Sequence, residues 1–121
     1  MKKVQQKIKN YAKARGWDTS EPAHIAKSLV IEGAELLELF QWDNFTRKKV
    51  LKNKELMDKI KDELADIFIY AFDMAVTLRL DAETAVLQKL KKVEEKYPET
   101  LVKGSRKNYL KLKHKHRKQN A

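Results

Sequence analysis

The chain contains no cysteine. That excludes disulfides, a thiolate metal site and redox chemistry at a thiol. Glycine and proline are almost as scarce, three and two in 121 residues. With Lys, Leu, Glu and Ala abundant, this shortage favours an all-helical chain. No stretch approaches the ~20 consecutive apolar residues that a membrane span requires. The N-terminal MKKVQQKIKNYAK also lacks the apolar centre of a signal peptide. The expectation is a cytoplasmic protein with no membrane partner. Its length suits one domain, small enough for association to complete the core.

Acid is absent from one region. Residues 103–121 hold eight Lys/Arg and no Asp or Glu, whereas residues 1–102 hold 19 Lys/Arg and all 17 acids. The net charge of +10 therefore belongs mostly to a tail, KGSRKNYLKLKHKHRKQNA. This divides the chain into a folded domain at 1–102 and a basic extension at 103–121, read as solvated. Such a tail could hold nucleic acid through sequence-independent electrostatics. A non-enzymatic basic helical protein that binds nucleic acid this way is the alternative against which an enzyme must be weighed.

Four main helices follow from the pattern. Val4, Ile8, Tyr11 and Ala12 recur at helical spacing, and Gly16 ends that helix. Pro22 suits the first turn of a second helix, over about 23–43. The polar connector NFTRKKVLKNKE has room for a short helix. A third helix covers about 56–80, and a fourth runs from Asp81 until Pro98 stops it. The third is apolar nearly all round, which predicts central burial and favours association. Gly33, inside the second helix, suggests that another helix packs closely there.

Two acidic signatures carry the chemistry: Glu32-x-x-Glu35 in IEGAELLELFQW and Glu63-x-x-Asp66 in DELADIFIY. Side chains three apart share a helix face, so each signature sets two carboxylates side by side. At about 100° per residue, Glu32 and Glu35 border the stripe of Ile25, Leu29, Gly33, Leu36 and Phe40, and Glu38 faces away. Glu63 falls in the arc of Ile67, Tyr70 and Met74, with Asp66 and Asp73 at its edge. Such carboxylates usually pair with nearby Lys or Arg, and an interhelical salt bridge is the simplest role for Asp73. Two unpaired sets against a core would instead repel and destabilise the fold. Hard oxygen donors without Cys fit Mg²⁺ or Mn²⁺ rather than zinc.

Taken in order, IEGAELLELFQW, DELADIFIYAFDMA, LDAETAVLQKLKKVEEKYP and KGSRKNY resemble the MazG-like all-α nucleoside triphosphate pyrophosphohydrolases. Within that family the resemblance is to the small, single-domain, dCTP pyrophosphatase-like branch, and it runs from about Tyr11 to Leu112. It implies a helical bundle completed as a homodimer or homotetramer. The implied reaction cleaves a (d)NTP between its α and β phosphates, as in house-cleaning or pool control. Glu32, Glu35, Glu63 and Asp66 would be the metal ligands, with Glu35 able instead to orient or deprotonate the attacking water. Lys89, Lys92 and Tyr97 would contact the substrate's phosphates, and Trp17 and Trp42 its base. Ile8 and Tyr11 would line the same pocket.

The chain departs from that branch around the base. Thr19, Ser20 and Glu21 replace a Phe-His pair before Pro22. Val93 stands where asparagine is common, and Ile8 stands where dCTP-specific relatives have histidine. Ile31 replaces a further glutamate of other branches. The acidic box is intact, but base preference is open.

Overall fold

The computed structural model describes residues 1–119, so the last two residues of the basic tail lie outside it. The described residues form seven helices and no strand: α1 Lys2–Ala14, α2 Pro22–Glu38, α3 Arg47–Leu51, α4 Lys54–Thr77, α5 Ala82–Lys96, α6 Glu99–Val102 and α7 Arg106–Gln119. The all-α expectation is met. They divide into two compact units, Met1–Ala82 and the residues from Glu83 onward.

In the first unit α4 is the organising element. Its 24 residues give it a length of about 36 Å, and α1, α2 and α3 all pack against it. Asn53 starts it by accepting the Leu56 amide at 3.0 Å, which satisfies one of the four free N–H groups of the first turn. The buried residues Ala12, Ile25, Leu56, Phe72, Ala75 and Val76 come from α1, α2 and α4. The core of this unit is therefore built by α1, α2 and α4.

Two helix ends are closed by the same device. After α1, the Trp17 amide bonds Ala12 O at 2.9 Å and the Gly16 amide bonds Lys13 O at 3.1 Å, with Gly16 at φ +69°. After α4, Leu80 bonds Ala75 O at 2.8 Å and Arg79 bonds Val76 O at 3.2 Å, with Arg79 at φ +56°. Both are Schellman closures. Glycine marks the first in the sequence, but arginine hides the second. Gln5 clasps the turn after α4, donating to Leu80 O at 2.7 Å and accepting the Ala82 amide at 2.9 Å. It thereby ties α1 to the end of α4.

Three expectations need correction. Helix α2 ends at Glu38 rather than near 43, because the chain turns there and Phe40 meets Phe45 edge-on, with ring centroids 6.2 Å apart. Helix α4 is not buried all round within one chain: Leu64, Phe68 and Ile69 are exposed, Phe68 to 52%. Nor is Gly33 a close-packing point, since a Cβ built there would meet nothing within 4 Å. A pair of opposed substitutions follows. Gly16→Ala, strained at positive φ, should lower unfolding free energy by about 1 kcal/mol. Gly33→Ala should raise it by up to about 1 kcal/mol. Urea melts of the two variants measure both.

In the second unit most of the basic extension is helical, as α7, and its residues stay largely exposed. The Ser105 hydroxyl accepts the Asn108 amide at 3.2 Å and starts α7. Tyr97, just past α5, stacks obliquely on Tyr109 at 5.0 Å and meets His116 edge-on at 6.0 Å. His116 Nε2 lies 3.3 Å from the Lys96 carbonyl, where a helix C-terminus offers partial negative charge. Its Lys-rich sequence concealed a helix held by aromatic contacts.

Candidate functional site

The apolar stripes of α2 and α4 face each other, so the acids on their borders converge. One carboxylate oxygen from each of Glu32, Glu63 and Asp66 lies within 4.8 Å of the other two. Glu35 lies close enough to both Glu32 and Glu63 to act on their carboxyls. Glu38 is exposed, as the helical phase requires.

Their electrostatics are those of a crowded, uncompensated set. Glu32 and Glu63 are both raised above the ordinary 4.5, first by burial, then by the neighbouring Glu35 carboxyl, then by the charge of Asp66. Glu32 Oε2 and Glu63 Oε2 are enclosed and receive no hydrogen bond. Among the described residues no Lys or Arg forms a salt bridge with any of the four; the observed ion pair, Lys59 with Glu55, lies elsewhere on α4. The ordinary surface-pair role is therefore not theirs. Enclosed, unbonded oxygens on Glu32 and Glu63, with Asp66 converging on them, suit a hard divalent cation.

A cavity of about 700 Å³ opens beside the acids, and Glu32 and Asp66 are part of its wall. The rest is mainly apolar and aromatic: Ile8 and Tyr11 of α1, Trp17 from the turn, and Ile69 and Tyr70 of α4. Tyr11 and Trp17 meet edge-on at 5.9 Å, and Arg15 lies 3.9 Å over the other ring face of Tyr11. The closure at Gly16 is what aims Trp17 at this wall. The cavity thus combines carboxylates with flat aromatic rings in one lining. It suits a ligand with a charged, cation-bound end and a planar, unsaturated end.

The other residues singled out in the sequence are placed less specifically. Trp42 is not brought to this cavity: it is 89% exposed in the segment after α2. Lys89 and Lys92 are exposed on α5, and Tyr97 makes the aromatic contacts already described within its own unit. Asp73, expected to form an interhelical salt bridge, forms none and instead lines the cavity. Its sequence signal was its spacing of seven from Asp66, which keeps both on one face of α4.

The MazG-like family model matches residues 27–112, which run from within α2 to the middle of α7. The chain belongs to the MazG-like family. Human dCTP pyrophosphatase 1 is 33% identical over 107 residues, covering 86% of this chain and 62% of that protein. The bovine dCTP pyrophosphatase 1 is 35% identical over 107 residues, covering 86% and 63%. The chain thus spans less than two thirds of the length of these curated relatives. Among solved structures, that of a pyrophosphatase from Archaeoglobus fulgidus superposes with a TM-score of 0.69 at 30% identity, covering 81% of this chain and 92% of that one. The wall of the cavity has to be read from this chain's own residues.

Proposed function

We propose that this MazG-like protein is a nucleoside triphosphate pyrophosphohydrolase, cleaving a (d)NTP to (d)NMP and pyrophosphate with Mg²⁺ as its metal. The observation that carries this reading is the meeting of Glu32, Glu63 and Asp66 within 4.8 Å at the edge of an aromatic-walled cavity of nucleotide size. Kinship with dCTP pyrophosphatases supports it, as does likeness to an archaeal pyrophosphatase.

Glu32, Glu63 and Asp66 would hold the cation, with Glu35 completing the set or acting on water. When bound, the metal supplies Lewis-acid stabilisation of phosphate charge and a water of lowered pKa. Glu35 is suited to a water beside the metal because it neighbours two of the other carboxylates. The Tyr11 and Trp17 rings receive the base by stacking, which is tolerant of base identity. Lys89, Lys92 and Tyr97 enter as phosphate contacts on their motif alone, and Trp42 as a base contact on the same ground. A homodimer or homotetramer fits the exposed apolar residues of α2 and α4, among them Val30, Leu37, Leu64 and Phe68. A role in nucleotide house-cleaning or pool control follows from the same reaction.

The competing reading leaves the acids structural and gives the function to the basic α7 as a nucleic-acid contact. Uncompensated carboxylates argue against the first half of that, since a merely structural set would be paired. Pyrophosphate release from a panel of dNTPs, with Mg²⁺ and with EDTA, decides between them. Turnover confined to the Mg²⁺ arm supports the enzyme. No release from any nucleotide, with RNA or DNA binding that is lost when residues 105–121 are removed, supports the alternative.

A further inference from the structure

Asp73 is an acid that the cleavage reaction does not use. It lies two helical turns beyond Asp66 on α4, about 10 Å along the axis, and both line the same cavity. That separation is comparable with the length of a nucleoside monophosphate, from its 5′ phosphate to the far edge of its base. With the phosphates at the carboxylate cluster and the sugar and base running along the apolar wall, the base edge arrives at Asp73.

Its surroundings call for a ligand. Asp73 is half-buried, and burial alone raises its carboxyl above the ordinary 3.8. Among the described residues it has no salt bridge. The cation on the cavity wall, Lys7 of α1, is exposed and forms no ion pair with it. Much of the lining it shares is apolar or aromatic, including Ile69 and Tyr70 on α4 and Ile8 on α1. A carboxylate oxygen in such a place is an acceptor waiting for a donor.

We propose that Asp73 is a specificity-determining residue that accepts a hydrogen bond from an exocyclic amino group of the base, so that the cavity selects amino-bearing bases over their keto counterparts. This rests on the nucleotide reading given above. Cytosine and adenine present an amino donor at the relevant edge, whereas uracil, thymine and hypoxanthine present a carbonyl acceptor. A keto base sets its carbonyl oxygen against the carboxylate, and that repulsion weakens the fit even though its adjacent ring N–H is a donor. Sites built around one buried hydrogen bond reject the analogue lacking it far more strongly than apolar pockets reject a missing methylene. The same Asp73 has no such preference to enforce if it only props α4 against α1.

The test compares ligands that differ by the exchange of amino for keto and the proton it adds to the adjacent ring nitrogen: dCMP with dUMP, and dAMP with dIMP. Binding is measured by calorimetry on the wild-type chain, Asp73→Ala and Asp73→Asn, and kcat/KM is measured in parallel on the four triphosphates with Mg²⁺. Wild type is expected to bind the amino member of each pair about tenfold or more tightly. Asp73→Ala should bring each ratio near one, by weakening the amino member. Asp73→Asn, whose amide can donate, should strengthen the keto member and serves equally if the alanine variant folds poorly. Equal binding of amino and keto members by wild type overturns the proposal, as does a ratio that survives both substitutions. An amino preference in binding with no triphosphate turnover upholds the role of Asp73 and defeats the pyrophosphohydrolase reading. Turnover without preference does the reverse.

Discussion

Glu63→Gln is expected to abolish hydrolysis while making the metal-free protein melt at a higher temperature. The two effects share one cause. Glu63 Oε2 is enclosed without a hydrogen bond, and burial and the neighbouring Glu35 and Asp66 penalise its charge. Glutamine removes that charge while keeping the shape, so the folded apo state gains. A neutral amide is a much poorer ligand for a hard cation. If several kcal/mol of phosphate charge stabilisation depend on that cation, kcat should fall by at least ~10³-fold. Steady-state kinetics with Mg²⁺ and thermal melts in EDTA check both halves. A structural Glu63 gives the opposite pattern, with activity retained and the melting temperature unchanged or lower.

Divalent ions and pH should act on stability through the same carboxylates. Glu32 and Glu63 have folded-state values raised above 4.5. For a raised carboxyl the stabilising contribution is fully present below the unfolded value and is lost as pH rises through the folded one. The metal-free chain should therefore lose stability as pH climbs from about 4.5 through the raised values, and Glu32→Gln should flatten that loss. Mg²⁺ binds the deprotonated set, so its stabilising effect should grow over the same window. At a concentration of 100 times its dissociation constant the gain is about 2.7 kcal/mol. Melts at a series of pH values, with EDTA and with Mg²⁺, read out both trends. Curves that stay parallel across that range would detach the acids from any cation.

How much of this was legible in the sequence varies with the physics behind each feature. The acids were legible because helical phase is local: Glu32 and Glu35 on one border, Glu38 on the outside, Glu63 and Asp66 on the facing helix. What brings them together is the pairing of α2 with α4, and the apolar stripes announced it. The closure after α4 was not legible, since Arg79 occupies a left-handed position that glycine usually marks. Helix α7 was missed because a run of lysines reads as solvated, and its anchors, Tyr97 against Tyr109 and His116, depend on contacts 12 and 19 residues apart in the chain. Asp73 was visible as an extra acid, yet only the cavity shows that it faces an apolar wall and no cation. Trp42 carried a motif but sits exposed, because α2 ends at Glu38 and the chain turns before reaching it.

The central claim is that four carboxylates on α2 and α4 support metal-dependent cleavage between the α and β phosphates. Phosphorus-31 NMR of the products from dCTP tests it most directly. The expected result is monophosphate and pyrophosphate in equal amounts with Mg²⁺, and intact triphosphate with EDTA or with Glu63→Gln. Orthophosphate with diphosphate, or hydrolysis that persists in EDTA, would contradict it.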